Sequence, residues 1–189
     1  MRATTWTTIA AIAACVSCSA WADDGNHGSD GRNRNKGFES SLVGSAPNTT
    51  VGGVASGGAP WVVATSEASV STGGRLKVEV TGLLIGSGTG VPANLVGTVG
   101  SVTMVGASLV CGGSGGSVAG SSDGTPLSAA GNAEIEATIT LPSTCVAPAV
   151  LVRIFNPSAP AGSQLGRFIA LTGFNAGAGA SDDDSGQDR

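Results

Sequence analysis

The chain has no tyrosine, a single histidine and, at 12%, about half the usual proportion of charged residues. Each shortage removes a class of function. With His27 as its only imidazole, the sequence has little to offer as a general base for nucleophilic or acid–base catalysis. Aromatic residues amount to 4%, too few for rows of rings that stack on sugars or bases. Lys and Arg number 9 against 13 Asp and Glu, for a net charge of −4 and an isoelectric point near 4.7. The clustered cations that neutralise phosphates are missing, so nucleic acid is excluded as a partner. Beyond the N-terminus no run reaches the roughly 18 consecutive apolar residues of a membrane span, so no span is expected in the mature chain.

What is present begins with an export signal. Arg2 is followed by an apolar stretch from Trp6 to Val16 and then by Ala20-Trp21-Ala22, the small-x-small pattern of a signal-peptidase site before Asp23. A rival reading is a lipoprotein signal, because Ile12-Ala13-Ala14-Cys15 places a branched residue and two small ones before a cysteine that becomes lipidated. It leaves only fourteen residues ahead of Cys15, shorter than the signal ending at Ala22. An uncleaved anchor is the third alternative. Cleavage at Ala22 takes Cys15 and Cys18 away and leaves two cysteines, Cys111 and Cys145, which are expected to pair in an oxidising compartment. Their loop of about 35 residues gives a staple worth roughly 3 to 4 kcal/mol on the loop-entropy estimate.

Residues 23–36 contain no apolar residue and are predicted to be a disordered polar linker. An acidic tail over 176–189, carrying Asp182-Asp183-Asp184, is predicted to be disordered for the same reason. The folded unit is then 37–175, after a signal peptide over 1–22. The chain's 31 glycines and its abundant Ser and Thr mark short strands joined by turns. Between Arg75 and Ile85, Leu76, Val78 and Val80 alternate with Arg75, Lys77, Glu79 and Thr81; Ala133 to Leu141 repeats the pattern with Ile135, Ala137 and Ile139 against Glu134, Glu136 and Thr138. Period two with one polar face predicts half-exposed antiparallel strands. Further strands are expected over Phe38–Val43, Trp61–Val70 with an interruption, Val96–Cys111, Val150–Phe155 and Arg167–Phe174. The expected fold is all-β, an antiparallel β-sandwich of about seven or eight strands with one disulfide, a barrel being the alternative.

Motif matches inside this unit carry little chemistry. Gly112-Gly113-Ser114-Gly115-Gly116 fits the nucleophile-elbow pattern, yet no amphipathic helix follows and His27 lies in the linker, so a flexible turn is expected. Gly86-Ser87-Gly88-Thr89-Gly90 lacks the spacing and the Lys-Ser/Thr of phosphate-binding loops and is predicted to be a plain loop. Glu134 and Glu136 lie side by side on one strand face, where Lys77, Arg75 or Arg153 on a neighbouring strand would pair with them. Zinc and copper are excluded for want of ligands, and the aspartates of the tail lack the EF-hand pattern for calcium. Trp61 and the four phenylalanines are expected to be core or core-edge. No catalytic, cofactor-binding or metal-binding residue is assigned, and no cofactor is expected.

Several segments resemble a group of exported bacterial proteins without assigned function. They are Gly58-Ala59-Pro60-Trp61-Val62-Val63, Arg75 to Leu83, Ser108-Leu109-Val110-Cys111-Gly112-Gly113, Leu141 to Pro148 and Gly166-Arg167-Phe168-Ile169-Ala170. The likeness spans about 38–174 and implies no activity. Phe38 to Ser45 and Val78 to Leu83 are also faintly similar to the chordin-type repeat domain, another β-sandwich, although the histidines usual in the middle of its bacterial members are absent here. The function expected from these features is a non-enzymatic, exported β-domain, periplasmic or extracellular, with a structural or interaction role toward an unknown protein or envelope component. The alternatives are a small-ligand or cation-binding module and a lipoprotein tethered through Cys15.

Overall fold

The computed structural model describes residues 36–173. The signal-cleavage residues Ala20, Ala22 and Asp23, the cysteines Cys15 and Cys18, His27, the expected linker up to residue 35 and the acidic tail therefore lie outside the described residues, while Lys36, expected in the linker, opens the first strand. Among the described residues fourteen strand segments follow in chain order. They are β1 (Lys36–Ser40), β2 (Leu42–Gly44), β3 (Thr50–Val51), β4 (Val54–Ala55), β5 (Trp61–Val62), β6 (Thr65–Ser71) and β7 (Arg75–Thr81). After these come β8 (Leu84–Ile85), β9 (Met104–Cys111), β10 (Ser117–Ser121), β11 (Thr125–Pro126), β12 (Ala133–Thr138), β13 (Ala149–Phe155) and β14 (Leu165–Thr172).

Ten of them form two antiparallel sheets, one in the order β1-β6-β7-β12 and one in the order β10-β9-β13-β14-β2 with β11 also pairing β9, while β3 pairs β4 and β5 pairs β8 separately. The alternation that predicts β7 and β12 holds in space. Leu76, Val78, Val80 and Ile135 are buried on one face of the four-stranded sheet, while Arg75, Glu79, Glu134 and Glu136 are exposed on the other. The buried face meets Val105, Ala107, Leu109, Val150, Val152 and Ile169 of the second sheet in one apolar cluster, which makes the fold an all-β sandwich.

Where element boundaries differ from expectation, the causes are local. The segment expected as one strand over Phe38–Val43 switches sheets at Ser41, β1 pairing β6 and β2 pairing β14. The Ser66 hydroxyl fixes that corner by accepting from Leu42 N at 2.8 Å and donating to Leu42 O at 3.1 Å. The strand expected from Val96 begins only at Met104, because Gly97 and Gly100 adopt left-handed backbone at φ 77° and 58° and turn the chain. Trp61 is 7% exposed and takes its place in the core, as its apolar neighbours suggested. Its backbone passes so close to Gly44 that a side-chain carbon there would lie 1.8 Å from the Trp61 carbonyl oxygen, so only glycine fits.

Cys111 and Cys145 are joined as a disulfide, with Cα atoms 5.0 Å apart across a sequence separation of 34. The bond ties the end of β9 to the loop before β13. Two backbone bonds, Gly112 N to Val146 O at 2.6 Å and Gly113 N to Ala147 O at 3.3 Å, continue the attachment.

Candidate functional site

Ser114 stands exposed in the 3-10 turn Gly113–Gly115, and its carbonyl accepts from Gly52 N at 3.2 Å. No helix follows it and no histidine is present among the described residues, so nothing there would take its proton. Among the described residues no three of His, Cys, Asp and Glu converge as a metal site. Trp61, packed in the core, offers no platform to a ligand.

The outer face of the four-stranded sheet is acidic. Ladder register places Glu67 opposite Glu79 and Glu79 opposite Glu134, three carboxylates in one row across β6, β7 and β12. Like charges directly opposed across strands cost stability. Part of that cost is offset by Lys77, whose Nζ lies 3.1 Å from Glu134 Oε1 and 4.0 Å from Glu136 Oε1, and by Arg75, whose Nη2 lies 3.1 Å from Glu136 Oε2. These are the cross-strand pairs expected for Arg75 and Lys77. The Glu134 carboxylate, by hydrogen bond and charge, holds the Lys77 ammonium above the ordinary lysine value.

Arg153, the third cation expected near those glutamates, is on the other sheet and serves a different purpose. Ser108, between the inward-facing Ala107 and Leu109, points outward and accepts from Arg153 Nη1 at 3.2 Å, so the guanidinium lies on the outer face of the six-stranded sheet. The ladder between β13 and β14 shifts register on both sides of Arg153, leaving carbonyls of β14 out of the regular pattern. The guanidinium takes them up, Nε donating to Gly166 O at 2.8 Å and Nη2 to Leu165 O.

Among the described residues that outer face is covered over one half only. The hairpin of β3 and β4 lies on Val110, Leu151 and Phe168, forming a second apolar cluster through Val51 and Val54. The other half is a cleft of about 380 Å³ lined by Val118, Ser121, Asp123, Arg153, Phe155 and Gln164, among others. Gly124 leaves room for the Phe155 ring, from which a Cβ there would lie 2.3 Å. A shallower trough of about 230 Å³ runs beside Glu67 and Glu79 on the opposite sheet, and an apolar notch of about 150 Å³ lies by Phe38, Leu141 and Cys145. Among the described residues no carboxylate lies within ion-pairing distance of Arg153. Burial alone shifts its pKa, downward, although an arginine stays charged throughout.

Comparison with family models, with curated proteins and with solved structures yields no match. The site must therefore be read from its own chemistry.

Proposed function

We propose that this chain is an exported, disulfide-stapled β-domain that acts by recognition rather than catalysis, and that it meets its partner on the open half of the outer face of the six-stranded sheet. The observation that carries this reading is Arg153, a half-buried guanidinium held in a cleft with no carboxylate within ion-pairing distance among the described residues. Burying a cation without an anion costs free energy that a Leu or Thr at the same position avoids. A partner that brings the anion recovers the cost on binding.

Export is supported by the Cys111–Cys145 bond, which persists in oxidising compartments. Among the described residues no helix is long and apolar enough to cross a membrane.

Hydrogen–deuterium exchange of the purified domain, with and without envelope and medium fractions of the producing cell, tests the proposal. Slowed exchange confined to 117–125, 153–155 and 162–166 is the expected footprint. Slowed exchange confined to β6, β7 and β12 would move the docking face to the acidic sheet and overturn it.

A further inference from the structure

We infer that the open half of this face is a carboxylate-binding cleft, in which Arg153 and the Ser121 hydroxyl hold the anion and Phe155 packs against the group that carries it. The inference rests on the recognition reading above and names the chemistry of the partner.

Donor counting is the first support. A guanidinium has five N–H donors. Arg153 commits three of them, Nε to Gly166 O, one on Nη1 to Ser108 Oγ and one on Nη2 to Leu165 O. One donor on each terminal nitrogen is left without a partner among the described residues. Two donors on one planar group match the two oxygens of a carboxylate, and such charge-assisted bonds are about twice as strong as neutral ones.

The second support is that the group is fixed in place before any ligand arrives. Ser108 is fully buried, and its hydroxyl lies 2.8 Å from that of Ser121. With Ser108 accepting from Arg153 and donating to Ser121, the Ser121 proton is left to donate into the cleft. The three bonds to fixed acceptors have already taken the rotamer freedom that a surface arginine would lose on binding. Around this polar corner stand the half-buried Phe155 and Leu165 and the exposed Val118, so a carboxylate attached to an apolar group satisfies both parts of the cleft.

Charge selects a monoanion. Among the described residues Arg153 is the one cation lining the cleft, and Asp123 is exposed at its rim. A dianionic phosphate would meet a single positive charge beside a negative one, whereas a carboxylate is neutralised by Arg153 alone. The same carboxylate is carried by a peptide terminus or by an acidic sugar, and the choice of probes separates the two.

The test is a titration of the isotope-labelled full domain followed by NMR, reading the Arg153 Nε–H and the backbone amides of Ser121, Leu165 and Gly166. N-acetylphenylalanine serves as the peptide-like carboxylate, glucuronate as the sugar, and N-acetylphenylalaninamide as the neutral control. Saturable shifts with at least one carboxylate, and binding at least tenfold weaker for the amide, are expected; the tighter of the two carboxylates identifies the source. Arg153→Gln should abolish the shifts. Because that substitution also removes three structural bonds, Ser121→Asp is the companion variant. It supplies an internal carboxylate beside Arg153, and should leave the domain folded and silent to every probe. Asp123→Asn should tighten carboxylate binding severalfold. Equal binding of acid and amide would overturn the carboxylate inference while leaving the recognition reading in place. Absence of any saturable shift in the cleft would overturn the inference too, and the exchange footprint would then decide the recognition reading by itself.

Discussion

Replacing both cysteines, Cys111→Ala with Cys145→Ala, removes a covalent link and little else, since each side chain is only partly buried at the margin of the main cluster. The consequence falls mainly on the unfolded chain, which regains the freedom of a loop spanning 34 residues of sequence separation. On the loop-entropy relation this amounts to about 13 cal/mol/K, or about 4 kcal/mol at 25 °C. For the 138 described residues, the usual unfolding entropy of about 2 cal/mol/K per residue converts the loss into a fall in Tm of about 13 °C. Calorimetry and urea titration of the oxidised protein and the variant measure it. The urea dependence should steepen in the variant, because an unlinked chain exposes more surface when it unfolds. A fall below about 3 °C with an unchanged slope would refute the reasoning. So would a variant whose amide spectrum is redistributed throughout the core, which would mean that the bond shapes the native state.

Three further outcomes follow from other parts of the molecule. Glu79→Gln relieves the middle of the Glu67–Glu79–Glu134 row and should stabilise the domain by about 0.5 kcal/mol, with the gain shrinking in high salt as seen by thermal melts. Ser45 is 1% exposed and its hydroxyl has no partner among the described residues, so Ser45→Ala should raise stability by about 1 kcal/mol in urea titration. The Lys77 ammonium is favoured by folding, so its stabilising effect is complete below the ordinary lysine value of 10.5 and is lost as pH rises through the higher folded value. Melts between pH 9 and 12 should therefore show an alkaline decline that Lys77→Met reduces.

The sandwich was legible in the sequence because its two clearest strands, β7 and β12, each carry one wet face, and a half-exposed strand writes period two into its residues. The disulfide was legible from cysteine arithmetic, since two of the four cysteines fall in the segment expected to be an export signal. The β3 and β4 hairpin was not, since two-residue strands around Gly52-Gly53 leave no period to read, although they cover another part of the same sheet face. Strand β10, from Ser117 to Ser121, was hidden by its small residues among other glycines and serines.

Arg153 was visible and misplaced. Within Ala149–Phe155 the residues on both sides are apolar, which reads as a central strand, and β13 is indeed the middle strand of its sheet. A single arginine in such a run is the signal that would have found the cleft: a buried strand admits a charge only where backbone acceptors or a ligand answer it. The register shifts at Val152, Arg153 and Phe155 that supply those acceptors arise from tertiary pairing and have no counterpart in residue order.

Photocross-linking in the producing cell tests the central claim most directly. A benzophenone amino acid placed at Val118, which is 37% exposed at the rim of the cleft, is compared with the same group at Glu79, on the far face of the sandwich. The account predicts a discrete adduct from Val118 in the envelope or medium fraction, lost when Ser121→Asp fills the anion position, and none from Glu79. An adduct from Glu79 alone, or one from Val118 that persists with Ser121→Asp, would contradict it.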